Sequence, residues 1–580
     1  MMITGAASQT GHPVLDDGSV LRVERLSLDF RLRNQILHAV RDVSFRLVAG
    51  QTLALVGESG SGKSVTARSL LRILDRNAAI TSGRILLPRQ GGGEIDIAQL
   101  TERSPELLAI RGGRIGLIFQ EPMSSLSPVH TIGSQIVEAV RLHRRVSKRE
   151  GRERAVELLR QVEIPDPGRM IDRYTFEFSG GMRQRAMIAM ALAADPDVLI
   201  ADEPTTALDV TTQAEILDLV KRIQVARGMA MLLITHDMGV VAEVADEVAV
   251  MRFGRIVETG DVDDIFHDAG HSYTRRLLDA TVRLETSREV DGRRGPAKER
   301  EPVLSVRGLG KSYGAAASWW GSAAANPVKA VDDVSFDLMP GENLGIVGES
   351  GSGKTTLGRL ILRITEPSAG QVIYRGAGGE TDVTALDKRG LRRFHRDVRL
   401  VFQDPFASLN PRMNVRQIVG DPLRVAGGWD RQRIERRVAE LLELVGLDPA
   451  AAERYPHAFS GGQRQRIGIA RALALEPKVV IADEATAALD VSIRAQILDL
   501  LLDIQRRLDL SFLFISHDIS VVRYFCDRVG VMHRGKLVEI GPADEICTRP
   551  RQPYTQSLIS AVPSPDPRRK RMLHRTRFTA

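Results

Sequence analysis

The sequence predicts an α/β protein made of two tandem copies of one parallel-sheet domain. Three observations carry that prediction: a glycine-rich octet that occurs twice, further stretches that repeat in the same order, and short apolar runs that alternate with helical ones. "GESGSGKS" stands at Gly57–Ser64 and "GESGSGKT" at Gly348–Thr355. "FSGGMRQR" (Phe178–Arg185) returns as "FSGGQRQR" (Phe459–Arg466), and "VLIADEPTTALDV" (Val198–Val210) as "VVIADEATAALDV" (Val479–Val491). "LLITHD" (Leu232–Asp237) returns as "LFISHD" (Leu513–Asp518). The octet lysines lie 291 positions apart (354 − 63) and the FSGG serines 281 apart (460 − 179), so about ten extra residues separate the two motifs in the first half. A period that long marks a duplicated domain and not a short-repeat solenoid.

Each octet follows an apolar run, "QTLALVG" or "ENLGIVG", and precedes a helical one, "SVTARSLLRIL" or "TTLGRLILRI". Further strand-like runs come at "DVLIADE" and "KVVIADE", and at "AMLLITH" and "SFLFISH". Short, uniformly apolar strands separated by helices belong in a parallel sheet covered on both faces. "RLETSREVDGRRGPAKEREP" (Arg283–Pro302) is charged, contains Gly and Pro, lacks periodicity and reads as the linker.

At 580 residues the chain exceeds one ordinary core, and with 43% hydrophobic and 26% charged residues its composition is globular, not disordered or fibrous. A net charge of +7 reads as a solvated arginine-rich surface, with contact to anionic lipid or nucleic acid the alternative. Cys526 and Cys547 form no CxxC or zinc spacing, which predicts two buried thiols, no disulfide and a reducing compartment. No apolar run is long enough for a membrane span. The opening "MMITGAASQTGHPVL" lacks the basic leader and apolar run of a signal peptide, so a cytoplasmic chain is expected.

Strand, GxxxxGK[ST], helix is the phosphate-binding loop. Gly57, Gly60 and Gly62 let the backbone curl so that N–H groups, among them those of Glu58, Ser59 and Ser61, face phosphate oxygens. The positive end of the following helix adds to that field. Lys63 is placed to reach the β- and γ-phosphates, and Ser64 to hold Mg²⁺. Gly348, Glu349, Ser350, Gly351, Ser352, Gly353, Lys354 and Thr355 repeat the arrangement. An apolar strand closing in Asp-Glu supplies the other half of the chemistry. Asp202 and Asp483 can ligate Mg²⁺, and Glu203 and Glu484 can polarise the water that attacks the γ-phosphate.

The order octet, glutamine, SGG stretch, Asp-Glu, histidine resembles the ATP-binding cassette (ABC) ATPases over nearly the whole chain, in both copies. That resemblance implies in each copy a RecA-like parallel-sheet core, an antiparallel β subdomain and a helical signature subdomain. Ser179, Gly180 and Gly181, and Ser460, Gly461 and Gly462, match the family's signature. Gln120 and Gln403 match its Q-loop glutamine, also a Mg²⁺ ligand, His236 and His517 its switch histidine, and Asp209 and Asp490 its D-loop. Phe30 and Tyr313 occupy the region where an aromatic stacks on adenine. The resemblance further implies two cassettes facing head to tail, each ATP between one octet and the other cassette's signature. Met182 stands where the second signature has Gln463, and Ala485 where the first copy has Pro204. Neither change removes a phosphate ligand or a base, so two competent sites are expected.

"FQEPMSSLSPVHTIGSQI" (Phe119–Ile136) and "FQDPFASLNPRMNVRQIV" (Phe402–Val419) resemble the Q-loop region of importers for dipeptides, oligopeptides and nickel. "HSYTRRLLDA" (His271–Ala280) and "RQPYTQSLISAVP" (Arg551–Pro563) resemble that subfamily's C-terminal extension. The implied layout is an N-terminal extension (1–20), a first cassette with its extension (21–282), the linker (283–302), a second cassette (303–545), and an extension with a basic tail (546–580). The implied partners are two transmembrane permease subunits and an extracytoplasmic solute-binding protein, with no nucleic acid, at the cytoplasmic face of the inner membrane. Peptide import leads, with nickel or a glutathione-like solute as alternatives. A soluble ABC ATPase acting on ribosomes or DNA is the rival of another class. Some relatives carry an iron–sulphur cluster, for which two cysteines are too few. Trp319 and Trp320 lie in an Ala/Gly/Ser insertion that reads as a flexible loop or as a contact with lipid or permease. "PRRKRMLHRTR" (Pro567–Arg577) reads as a disordered basic tail, with anionic lipid the alternative.

Overall fold

The computed structural model describes residues 13–285, 301–314 and 328–572, with Arg575 and Phe578, apart from short gaps at 34, 90, 122–124, 206–207, 403, 405–407 and 488. The Trp319–Trp320 insertion and residues 286–300 of the expected linker lie outside the described residues. The linker begins later than the charge run suggests, because the helix Ser272–Glu285 continues through Arg283. Leu277 and Leu284 keep its apolar spacing, and both are buried. The chain forms two compact units. One comprises Met1–Thr281 with Pro563–Arg575, the other Val282–Val562 with Thr576–Ala580.

The first unit is built on a six-stranded sheet in the order Arg255–Asp261, Glu247–Arg252, Thr52–Val56, Ala230–Thr235, Val198–Asp202, Ile115–Ile118. All neighbours pair parallel except the outermost pair, Glu247–Arg252 with Arg255–Asp261. Every residue of Thr52–Val56, Ala230–Thr235 and Val198–Asp202 is buried, which is why these strands read as apolar without alternation. A second, antiparallel sheet runs Ile36–Val48, Ser19–Arg31, Ala78–Pro88, Glu94–Asp96. Three helices, Ile132–His143, Lys148–Gln161 and Gly180–Ala191, carry the signature stretch and pack into a core they share with one face of the sheet, where Leu199, Ala201 and Leu233 join them. Polar residues start them: Thr131 caps the first, and Ser147 with Glu150 forms a capping box on the second.

The second unit repeats this plan. Its six-stranded sheet runs Val398–Val401, Val479–Asp483, Ser511–Ile515, Asn343–Val347, Arg528–His533, Lys536–Pro542, again parallel except at the last pair. Its antiparallel sheet runs Val328–Leu338, Leu304–Tyr313, Ala369–Gly376, Gly379–Asp382. Its helical part consists of Val415–Ala426, Arg431–Leu444 and Gly461–Leu473. Cys526 and Cys547 are free and buried, and burial pushes the Cys547 thiol up to about 12.

The basic tail departs from the sequence reading. Pro563–Arg575 is an integral part of the first unit. The carboxylate of Glu243, with no side-chain exposure, accepts the backbone N–H groups of Ser564 (3.0 Å), Arg571 (3.0 Å) and Met572 (2.7 Å). Arg575 donates to Asp218 Oδ1 at 2.8 Å and to the Ala214 carbonyl at 2.9 Å. Arg568 grips Asp263 with two hydrogen bonds of 2.7 and 2.5 Å, and that bonding holds the Asp263 carboxyl below the usual carboxylate range. Met572 is buried among the helical core residues. The tail read as disordered because its acidic partners lie more than 300 positions earlier in the chain.

Each buried donor that loses its acceptor costs on the order of 1–3 kcal/mol. Glu243→Ala should therefore lower the first thermal transition by roughly 5 °C or more. It should also speed tryptic cleavage at Arg568 and Arg571; an unchanged melting curve and digestion pattern would show that the anchoring contributes nothing.

Candidate nucleotide sites

Each octet bridges the C-terminal end of a central strand and the start of a helix, Lys63–Leu70 in the first unit and Lys354–Ile361 in the second. Two glycines have no substitute there. Gly57 has φ +150° and a Cβ on it would lie 2.1 Å from the Met251 carbonyl oxygen; Gly348 has φ +153° and the matching distance to Met532 is 2.2 Å. Gly62, the residue before the helix, has φ +105° and a Cβ there would meet the Ala39 carbonyl at 2.5 Å. The loop is thus pressed against neighbouring backbone where only glycine fits.

Inside it the lysine is 6% exposed and folds onto the loop itself. Lys63 Nζ donates to the carbonyls of Gly57 (2.6 Å) and Glu58 (2.9 Å), and Lys354 Nζ to those of Gly348 (2.7 Å) and Glu349 (2.8 Å). Ser64 Oγ donates to Asp202 Oδ1 at 2.8 Å, and Thr355 Oγ1 to Asp483 Oδ1 at 3.2 Å. Burial pushes the Asp202 carboxyl above the usual range; the Ser64 hydrogen bond opposes this and the neighbouring Glu203 charge adds to it. Burial does the same at Asp483, with Glu484 adding to it. Hydroxyl and buried carboxylate side by side, beside a second carboxylate, form an oxygen donor set that suits a small hard cation such as Mg²⁺.

Both glutamates of the Asp-Glu pairs adopt the left-handed region, with φ +47° at Glu203 and +48° at Glu484. A non-glycine residue held there costs on the order of 1–3 kcal/mol and marks a constrained position. Hydrogen bonds fix the turn: Glu203 N–H donates to the Ile234 carbonyl (2.9 Å) and Glu484 N–H to that of Ile515 (2.8 Å). The conformation brings each carboxylate to a histidine, His236 or His517. Glu203 accepts from Gln120 Nε2 at 2.8 Å and lies 3.2 Å from His236 Nδ1; Glu484 lies 3.2 Å from His517 Nδ1. Burial alone would raise the Glu484 carboxyl, but the His517 hydrogen bond and charge bring it below the usual range. Gln403 lies outside the described residues.

The signature residues lie at helix starts, with Ser179, Gly180 and Ser460 exposed and Gly181, Gly461 and Gly462 half-buried. Ser179 caps Gly180–Ala191 by accepting the Met182 N–H at 3.3 Å, and Ser460 caps Gly461–Leu473 by accepting that of Gln463 at 3.4 Å. Only the second closes a capping box, because Gln463 accepts the Ser460 N–H at 3.1 Å and Met182 has no such oxygen. Gly181 and Gly462 also have a packing role, since a Cβ would lie 2.7 Å from Thr212 and 2.5 Å from Ile493. Asp209 and Asp490 cap the helices that carry those two residues, accepting the N–H of Thr212 and of Ile493 at 3.0 Å. Phe30 is half-buried opposite Leu37, and Tyr313 is exposed opposite Val328 with Lys311 Nζ 5.4 Å from its ring centre. Two residues at the octets escaped sequence reasoning: Tyr273 and Tyr554 of the C-terminal extensions, whose hydroxyls meet loop N–H groups. The "YT" shared by the two extensions was their one visible trace.

A duplicated loop with a buried lysine, a hydroxyl on a buried aspartate, and a glutamate between glutamine and histidine defines a nucleoside triphosphate hydrolase with two sites. Comparison with known proteins gives the family. The ABC transporter family matches residues 40–206 and 331–487, and the oligopeptide/dipeptide transporter C-terminal region matches 257–311 and 538–578. The chain is 48% identical over 577 residues to the glutathione import ATP-binding protein GsiA of Escherichia coli (strain K12), covering 96% of this chain and 92% of that protein. It is 49% identical over 578 residues to the protein of that name from Shigella dysenteriae serotype 1 (strain Sd197), with the same coverage. Among solved structures, the dimeric post-hydrolysis state of the ATP-binding cassette MJ0796 bound to ADP and Pi is 28% identical with a TM-score of 0.37, covering 41% of this chain and 98% of that one. The chain belongs to the ABC transporter family: it carries two ATP-binding cassettes, and its ATPase activity is coupled to transport through membrane permease partners. Among the described residues no helix is long and apolar enough to cross a membrane.

Gly57→Ala with Gly348→Ala should lower affinity for a fluorescent ATP analogue at least tenfold, since each added methyl displaces backbone that shapes the loop. Near-wild-type affinity in a folded double variant would contradict the close approach described.

Proposed function

We propose that this chain is the ATP-driven engine of an importer for small peptide-like solutes. Its two cassettes close on nucleotide so that each ATP lies between one octet and the other cassette's signature. The observation that carries the reading is the paired cluster of Ser64, Asp202, Glu203 and His236 with its copy Thr355, Asp483, Glu484 and His517. Lys63 and Lys354 reach the β- and γ-phosphates by exchanging loop carbonyls for phosphate oxygens. Glu203 and Glu484 polarise the attacking water, and His236 and His517 orient those carboxylates. Ser64 with Asp202 and Gln120, and Thr355 with Asp483 and Gln403, hold Mg²⁺, which offsets the phosphate charge. Ser179 and Ser460 are exposed on helix N-termini, a placement suited to a γ-phosphate offered by another surface. Phe30 and Tyr313 serve the adenine side.

The permease partners dock on the helical part of each cassette. In the first unit an open groove lined by Thr131, Ser134, Val137, Glu138, Arg141 and Lys148 follows the Gln120 loop, which favours that position. Closure of the cassettes would then reorient the permeases at the cytoplasmic face of the inner membrane. The C-terminal region shared with oligopeptide/dipeptide transporters supports a peptide-like cargo and disfavours work on ribosomes or DNA. The relatives' name, glutathione import, favours a short peptide with a free thiol and two carboxylates over nickel or long peptides. An extracytoplasmic solute-binding protein would select it.

Glu203→Gln with Glu484→Gln should cut ATP turnover at least 10²-fold while ATP remains bound. Turnover at the wild-type rate would remove both glutamates from the proposed role. Membrane vesicles holding this chain with its permeases and binding protein should accumulate labelled glutathione only with ATP inside the cytoplasmic compartment. Accumulation of nickel or a dipeptide instead would reassign the cargo, and no ATP-dependent uptake of any of the three would overturn the importer reading.

A further inference from the structure

Each octet has one more tie, and it comes from the C-terminal extension. Tyr273, on the helix Ser272–Glu285, is 2% exposed, and its hydroxyl accepts the Glu58 N–H at 3.0 Å. Tyr554, on the helix Pro553–Ser560, is 4% exposed, and its hydroxyl accepts the Glu349 N–H at 3.2 Å. The surrounding sequences differ, "HSYTRRLL" against "QPYTQSLI", yet the contact recurs at the same place in the loop.

That place matters because of peptide geometry. The Glu58 N–H and the Gly57 C=O belong to one planar unit and point in opposite directions. The carbonyl side takes Lys63 Nζ at 2.6 Å; in the second unit the Gly348 carbonyl takes Lys354 Nζ at 2.7 Å. A continuous relay therefore runs from tyrosine hydroxyl through peptide plane to ammonium. Rotating that plane would withdraw the carbonyl from the lysine and disturb the first curl of the loop.

The tyrosine rings are themselves fixed. The Arg252 guanidinium lies 4.8 Å from the Tyr273 ring centre, and the His533 ring lies 4.0 Å from that of Tyr554, whose other neighbour Phe578 is 5.7 Å away. Arg252 and His533 occupy equivalent strand ends, each directly after the methionine whose carbonyl crowds Gly57 or Gly348. Strand end, tyrosine and loop thus form one packed unit in both copies.

We propose that Tyr273 and Tyr554 are positioning residues of the two ATP sites: through the Gly57–Glu58 and Gly348–Glu349 peptides they set the octet lysines for phosphate, making each C-terminal extension part of the nucleotide site it follows. This rests on the ATPase reading above. The test uses the full chain with Tyr273→Phe and Tyr554→Phe together, which keep the rings and remove only the hydroxyls. KM for ATP and the Kd of a fluorescent ATP analogue should rise about three- to tenfold, the effect of one ordinary hydrogen bond per site. Saturated kcat should stay within about twofold and the melting temperature within about 2 °C, since the ring packing survives. A merely structural role would instead lower the melting temperature and leave KM unchanged. In a Lys63→Gln, Lys354→Gln background the same tyrosine changes should add little, because the relay has already lost its end; this comparison on the folded fraction also decides the matter if the phenylalanine variants fold poorly. Unaltered KM and Kd, or full additivity with the lysine variants, would overturn the positioning role alone. Failure of the unaltered chain to bind ATP would overturn the ATPase reading with it.

Discussion

The parallel pairing of three buried strands is the constraint on which each site depends. Thr52–Val56, Ala230–Thr235 and Val198–Asp202 lie side by side in one direction, so their C-terminal ends emerge together. The octet leaves the first, His236 follows the second, and Asp202 and Glu203 close the third. Parallel sheets place ligands outside the carboxyl ends of their strands for this reason. Residues more than a hundred positions apart become hydrogen-bond partners through register alone, as Ser64 and Asp202 do. A slip of one residue in either pairing would turn Asp202 to the opposite face and empty the site.

Much of this was legible in the sequence because each part has a local signature. Uniformly apolar runs named the central strands, and the glycine spacing named the loop. The Asp-Glu strand ends and the histidines were visible as words that recur at a fixed offset. What stayed hidden depends on contacts between distant segments or on backbone conformation. Nothing near Glu203 announces a left-handed residue, since the tilt is set by its bond to the Ile234 carbonyl on the neighbouring strand. Glu243 belongs to no motif, and the basic tail read as disordered, because each explains the other only in three dimensions. Gly181 and Gly462 were read only as members of the signature; the closeness of Thr212 and Ile493 adds a packing reason that a motif cannot express.

The two copies are close to equivalent at the phosphate loops and less so at the signatures. Gln463 braces the start of its helix from both sides, whereas Met182 leaves the N–H of Ser179 outside any such box. Helix ends are held by these local bonds, each contributing about 1 kcal/mol. The first signature helix therefore starts with one capping bond fewer than the second, although both begin with Ser-Gly-Gly.

The docked tail also has a consequence for biogenesis. A domain emerging from the ribosome generally folds as a unit, at synthesis rates of about 5–20 residues per second. Here Pro563–Arg575 belongs to the first unit but follows Val282–Val562, nearly all of the second, in the chain. The carboxylate of Glu243 must wait through more than three hundred codons before the amides of Ser564, Arg571 and Met572 arrive. The first cassette is thus completed only after residues 282–562 of the second have been made, and the nascent chain carries a half-built anchor through that interval.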